Sequence, residues 1–350
     1  KKPENVFISL SLFFGVLSAV LVPQLSVSDE NMHYLRAYGI SQGRVESGSR
    51  CTLPKDVAKR AGSVYGGNFS ADYSKPIDRN ILDVDKCSSA SGYPPIMHLP
   101  QAVGINIANI FGGSTGLTIL FGRLANLIFY SFALYFIIKW VRVGKWVFVV
   151  IGLIPLMVHM AASLSSDCVT NVAVFVITAL TLNLFTQKNA LSNKQIAALV
   201  CTGILLTLTK SINALLLFPL IFLPKHLFAA NKNKNIPFNI QKWAILIMIG
   251  VAAIISLLIW QKIFGQPLLT TGATHNPLHS NPLKFIQILF NTYMNPTIGY
   301  TDIVLRGSVG DFSSFKYHLP LFVLIPLFSL LFLSLLHYNK KDQELLGEHT

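Results

Sequence analysis

Along this chain the apolar residues gather into blocks close to 20 residues long, with almost no charge inside them. That is the length an α-helix needs to cross roughly 30 Å of hydrocarbon, where no water can satisfy backbone N–H and C=O groups. Eight segments read as spans, the fifth and sixth shorter than the rest: roughly 5–25, 117–139, 146–164, 168–186, 196–209, 211–224, 243–261 and 318–338. Of the 350 residues 52% are hydrophobic and 12% charged, about half the charge of a soluble domain. The expected fold is an all-α integral membrane protein with about eight transmembrane helices. A soluble enzyme, a nucleic-acid binder and a disordered chain are excluded as the main reading.

The net charge of +13 admits two meanings, a polyanionic partner or the lysine bias of cytoplasmic loops. Its placement decides between them. With the N-terminus inside, the cytoplasmic segments hold Lys139, Arg142, Lys145, Lys188, Lys194, Lys225, Lys232, Lys234, Lys242, Lys340 and Lys341. The connections from Lys139 to Lys242 on that side contain no acidic residue, and the opposite orientation fails the positive-inside rule. Trp140, Trp146, Trp243 and Trp260 stand at span ends, where an aromatic belt belongs. Lys1 and Lys2 precede the first span, which lacks a small-residue cleavage site and reads as a retained anchor. The sequence opens on Lys rather than Met, as a processed or shortened chain does.

The chain then divides into a first transmembrane helix (1–25), an extracytoplasmic segment (26–116), helices two to seven (117–261), a second extracytoplasmic segment (262–317), and a last helix with a cytoplasmic tail (318–350). The first long segment far exceeds an ordinary connector of about 4–6 residues. Helical patterns fall at 29–38 and 100–111, the latter suited to lie on the bilayer, and at 282–292. Nine basic side chains in 26–116 are nearly matched by eight acidic ones, so that segment is no basic patch.

Cys51 and Cys87 share the first extracytoplasmic segment and can close a disulfide around about 36 residues, although one pair carries no spacing signature. Cys168 and Cys201 read as small packing residues. The nine histidines show no zinc spacing, and Pro277 between His275 and His279 opposes a helix that would align them. A dedicated metal site is not expected and no cofactor is assigned, while a divalent metal stays open.

Chemistry concentrates where polar residues interrupt apolar sequence. Just past the first span stands Ser28-Asp29-Glu30-Asn31-Met32-His33-Tyr34-Leu35-Arg36. In a helix, Asp29, His33 and Arg36 at i, i+4 and i+7 share a face. A carboxylate near a low-dielectric boundary can have a raised pKa and act as a general base; a charged cap after a span is the plainer reading. Arg123 lies within the second span, Asp167 ends the turn Ala162-Ser163-Leu164-Ser165-Ser166, and Lys210 interrupts an apolar run. Each is costly in lipid unless it meets a cavity or a partner. Structural ion pairing, for example Arg123 with Asp167, competes with a site formed by their convergence at the external face. His98, Asp302, Arg306 and Asp311 read as solvated loop residues, with a substrate groove as the alternative.

The ordered set Asp29-Glu30-x-x-His33, Tyr93-Pro94-Pro95, Leu99-Pro100-Gln101, Arg123-Leu124-x-Asn126, the turn ending at Asp167, and Lys210 resembles a bacterial family of polytopic membrane proteins, formerly a domain of unknown function, in the GT-C glycosyltransferase superfamily. Members usually continue through further spans, whereas this sequence stops at Thr350. The resemblance implies an inverting GT-C enzyme of the bacterial plasma (inner) membrane. Its donor would be a polyprenyl-phosphate-linked sugar and its acceptor a cell-envelope glycan or glycolipid at the extracytoplasmic face. It implies Asp29 as base with Glu30 next. His33 would orient the carboxylates or touch the acceptor, and Arg123 and Lys210 would meet the donor phosphate; Arg36, on the same helix face as His33, is a further substrate-binding candidate. Asp167 would bind the acceptor, order Lys210 or hold a divalent ion.

Two other classes compete. A transporter or flippase of lipid-linked sugars would show repeated halves and broken helices; repeats are absent, though the short spans around Lys210 imitate a break. A non-catalytic envelope-assembly subunit would use the same polar residues as structural pairs.

Overall fold

A computed structural model describes residues 2–44, 51–85, 89–228, 238–264, 282–294, 311–312 and 317–336. Helices dominate, and the strands among the described residues form two short antiparallel pairs, β1 (Cys51–Pro54) with β2 (Leu82–Asp85) and β3 (Asp311–Phe312) with β4 (Tyr317–His318).

Helix α1 (Pro3–Leu21) opens on proline, which loses no bond at that position, and ends before Pro23. It is followed by α2 (Glu30–Ser41), α3 (Lys55–Gly62), α4 (Leu99–Ile110), α5 (Thr115–Trp140), α6 (Lys145–Gly152), α7 (Pro155–Ala161), α8 (Asp167–Phe185) and α9 (Asn193–Thr209). A 3₁₀ segment, Ser211–Phe222, leads toward α10 (Phe238–Phe264), α11 (Pro282–Met294) and α12 (Leu321–Leu336). Among the described residues four helices are long and apolar enough to cross a membrane: Pro3–Leu21, Thr115–Trp140, Asp167–Phe185 and Ile240–Ile263. Asn193–Thr209, Ser211–Phe222 and Phe322–Leu336 are apolar but shorter.

The span expected over 146–164 is not continuous. Ile154 is extended and Pro155 starts a new helix, because a proline lacks the N–H that would continue the ladder and its ring pushes the preceding residue out of the helical region. The segment expected at 211–224 winds as a 3₁₀ helix of 12 residues with Pro219 inside it. Its steeper rise carries those residues about 24 Å, where an α-helix would reach about 18 Å. Such long 3₁₀ runs are uncommon and often mark a functional hinge.

Among the described residues three cores hold the fold together. Phe7, Leu127, Tyr130, Leu134, Phe148 and Phe175 join α1, α5, α6 and α8. Ile177, Leu184, Leu199, Leu220 and Ile249 join α8, α9, the 3₁₀ segment and α10. Tyr34, Tyr38, Val57, Ile77, Ile105, Ile119 and Leu164 form a separate core around α2 and α3. That third core packs described residues of the first long segment into a cap against α4 and α5. Outward residues such as Phe13, Val20, Ile247 and Leu258 stay exposed, as expected of surfaces that face lipid.

Helices α4 and α5 form an antiparallel hairpin in very close contact. A Cβ on Gly104 would stand 2.1 Å from the Phe121 carbonyl oxygen, so only glycine permits this approach. The long helices also give the bundle two distinct ends. At one, Arg142 N–H donates to Asn183 Oδ1 and its guanidinium donates to the Thr186 carbonyl, near Lys139 and Lys145. At the other, about 28 Å away along α8, lie Asp167 and the cap.

Candidate functional site

The cap end is assembled around the turn that joins α1 to α2. Leu25 and Asp29 both adopt left-handed backbone conformations, φ 64° and 57°, each an arrangement costing of order 1–3 kcal/mol in a residue other than glycine. Arg123 holds the turn in place. Its guanidinium, fully buried in α5, donates to the carbonyls of Ala19 (3.1 Å), Val22 (2.7 Å) and Pro23 (3.0 Å). Its remaining donors grip Glu30 as a fork, Nε to Oε1 at 2.8 Å and Nη2 to Oε2 at 2.6 Å. Glu30 is equally buried, and its Oε1 also accepts the Leu164 N–H at 3.1 Å.

Glu30 and Arg123 are therefore engaged with each other and with the turn. Every guanidinium nitrogen is engaged, and both carboxylate oxygens are used. The pairing of Arg123 with Asp167, weighed from sequence, does not form.

The same motifs hold the turn 162–166. Gln101 Nε2 donates to the Ser165 carbonyl at 3.0 Å, and Asn126 Nδ2 donates to the Ser163 carbonyl at 2.8 Å. Gly122 leaves room for Leu164, whose Cδ2 would be 2.6 Å from an added Cβ. Ser165 Oγ accepts the Asp167 N–H at 3.1 Å and so fixes the start of α8. Thus Glu30, Gln101, Arg123 and Asn126, all in short sequence motifs, act together to place Asp167.

Asp167 Oδ1 accepts a hydrogen bond from Lys210 Nζ at 2.9 Å. In this pair Lys210 keeps 44% and Asp167 35% of its side-chain surface exposed, in contrast to the sealed Glu30–Arg123 pair. Lys210 is the residue at which α9 stops and the 3₁₀ segment begins, with extended backbone. Asp29 is exposed; its carboxylate does not cap α2 and makes no hydrogen bond to another described residue.

His33 ties these groups together. It is buried on α2, and the charges of Asp167, Asp29, Glu30 and Lys210 all act on its ring. Its Nδ1 lies 2.9 Å from Nε2 of His98, and Tyr93 packs beside it with ring centroids 6.1 Å apart. Arg36, also buried, donates to the Tyr93 carbonyl at 3.1 Å, so it shapes this wall of the site. The shared face of His33 and Arg36 is formed, while Asp29 sits ahead of the helix as its N-cap. Trp260 of α10 donates to the carbonyl of Gly92, the neighbour of Tyr93, at 2.9 Å. Burial, the larger effect, pushes the His33 pKa down against the pull of the nearby carboxylates. It pushes His98 further down, with His33 and Arg36 adding to the effect.

The charges of Asp29, Asp167 and Lys210, like that of Glu30, act on His33, but Asp29, Asp167 and Lys210 keep exposed surface while Glu30 and Arg123 have none. His98, read from sequence as a solvated loop residue, is completely buried. Nothing local announces this except the apolar Pro-rich run on either side of it. Cys51 begins β1 opposite Asp85, and Cys87 lies outside the described residues, as do Asp302 and Arg306. Among the described residues no group of three or more His, Cys, Asp or Glu could hold a metal ion.

Residues 12–341 match the sequence model of a family described as a predicted membrane protein, DUF2142. The chain belongs to that family. No curated protein and no solved structure matches this DUF2142 protein. Family membership and the apolar helices agree in making it a multi-pass membrane protein, in contact with membrane lipid.

Proposed function

We propose that this protein is a GT-C-type inverting glycosyltransferase. In this reading it moves a sugar from a polyprenyl-phosphate donor to a cell-envelope glycan or glycolipid at the extracytoplasmic face of the plasma membrane. Both termini lie in the cytoplasm, and the basic end of the bundle faces inward by the positive-inside rule. The observation that carries the reading is an exposed carboxylate, Asp29, unengaged among the described residues and set with an exposed Lys210–Asp167 pair around His33 at the opposite end.

The chemistry follows from that arrangement. Asp29 takes the proton of an acceptor hydroxyl as its oxygen attacks the anomeric carbon from the face opposite the phosphate. The bond from that carbon to the phosphate oxygen breaks, and the electron pair leaves with the lipid phosphate. The Lys210 ammonium stabilises that developing charge, and Asp167 holds the ammonium in place. Glu30 and Arg123 take no part in bond making; they hold the strained turn that presents Asp29. An apolar groove of about 410 Å³ supports a lipid-linked donor. It runs between the 3₁₀ segment and α10, lined by Thr207, Leu217, Phe218, Ile247 and Ile254, and begins one turn from Lys210.

Asp29→Asn is the direct test, because the Asp29 carboxylate has no bonded partner among the described residues to lose. Transfer from a polyprenyl-phosphate sugar should vanish while the denaturation midpoint in detergent stays put. Full transfer by Asp29→Asn would end the proposal. A deletion strain should accumulate one polyprenyl-phosphate sugar, which identifies the donor.

The 3₁₀ segment after Lys210 favours a second reading, a flippase of lipid-linked sugars built on an interrupted helix. It predicts that purified protein in vesicles moves the lipid-linked sugar across the bilayer without transferring it, and that Asp29→Asn still does so.

A further inference from the structure

His33 and His98 are joined by a single contact, Nδ1 of the first to Nε2 of the second at 2.9 Å, which needs one proton between the two nitrogens. His98 is fully buried, and its other nitrogen, Nδ1, has no hydrogen-bond partner among the described residues. The other nitrogen of His33, Nε2, likewise meets no described residue, yet it is not among the sealed, unpaired atoms. With both rings neutral, two arrangements satisfy this geometry. In the first, His33 donates, so His98 must carry its own proton on Nδ1 and bury an unpaired N–H. In the second, His98 donates from Nε2, its Nδ1 is bare, and His33 carries its proton on Nε2.

The surrounding charges choose between them. The groups acting on His33 are Asp167, Asp29, Glu30 and Lys210; Asp167 and Lys210 offset each other at 2.9 Å and Glu30 is paired with Arg123, which leaves the Asp29 carboxylate. The groups acting on His98 are His33 itself and the Arg36 cation. The Asp29 carboxylate at the His33 end favours an N–H there, and a cation at the His98 end favours a bare nitrogen there. Both effects select the second arrangement.

We propose that His98 is a positioning residue that locks His33 as a neutral imidazole protonated on Nε2, a standing hydrogen-bond donor at the candidate site. Such a ring cannot take a proton from a substrate. It offers an N–H to an oxygen acceptor, either the Asp29 carboxylate or an oxygen of the bound ligand. The tautomer rests only on the contact and its surroundings; what the donor meets rests on the proposed transfer reaction.

The test is nitrogen NMR on the full chain, labelled with ¹⁵N-histidine and reconstituted in lipid nanodiscs, since protonated and bare ring nitrogens differ widely in shift. The two rings are assigned by difference against His33→Gln and His98→Gln, each checked for folding by gel filtration and denaturation midpoint. The expected wild-type result is His33 with Nε2 protonated and Nδ1 bare from pH 8 down to pH 6. His98→Gln keeps an amide donor and should retain that signature. His98→Phe removes the donor and should let His33 populate both tautomers and titrate closer to its ordinary value. A wild-type His33 protonated on Nδ1, or doubly protonated at pH 7, would overturn the proposal. So would an unchanged His33 spectrum in a folded His98→Phe protein. None of these outcomes depends on sugar transfer, so a failure here is distinct from a failure of the enzymatic reading.

Discussion

The Glu30–Arg123 and Lys210–Asp167 pairs occupy the same end of the bundle, and both involve a cation that interrupts apolar sequence. They differ in access to water: the first pair exposes none of its side-chain surface, the second 44% and 35%. A sealed pair must satisfy all its hydrogen-bonding capacity internally, and Arg123 does so with three carbonyls and both oxygens of Glu30. An open pair can exchange one partner for a ligand at little cost. The comparison separates a residue that builds a site from one that can work in it, although from sequence the two cations look alike.

The most severe way to break the comparison is Arg123→Met. It strands a buried carboxylate and three carbonyls, so we expect a loss of about 3–5 kcal/mol and poor recovery of folded protein, read as a denaturation midpoint in detergent. A well-folded, stable Arg123→Met protein would show that the sealed pair is not structural. Asn126→Ala should cost less, about 1–3 kcal/mol, by orphaning the Ser163 carbonyl. It should also loosen the start of α8, seen as faster hydrogen exchange at the Asp167 amide.

Acidification comes next. The folded-state pKa values of His33 and His98 lie below the ordinary value near 6.5, chiefly through burial. The unfolded chain therefore binds protons first as pH falls, and stability present above about 6.5 declines below it. A denaturation midpoint that rises between pH 7 and pH 5.5 would contradict this. Lys210→Met should change stability least, by no more than about 1 kcal/mol, while removing the proposed transfer activity. If it unfolds the protein as Arg123→Met does, the distinction between the two pairs collapses.

The intrusions of Asp29, Asp167 and Lys210 into apolar sequence are legible in the residues alone, and all three groups act on the ring of His33 in the folded chain. The role of Arg123 is not legible in that way. Its partner Glu30 lies 93 positions away, Lys210 and Asp167 are 43 apart, and His33 and His98 are 65 apart. No local pattern encodes those pairings. The break at Pro155 is visible as a proline, yet the hydropathy on both sides of it favours one continuous span.

Sequence by itself determined the solvent this chain folds in and the positions of α1, α5, α8 and α10, because hydropathy and helical length are local properties set by the bilayer. It also marked the motifs that converge on one end. Only the tertiary structure decided which charges are sealed together and which stay open, because burial depends on what surrounds a side chain in space. It likewise turned the segment after α1 into a packed cap, and His98 from a loop residue into the buried partner of His33.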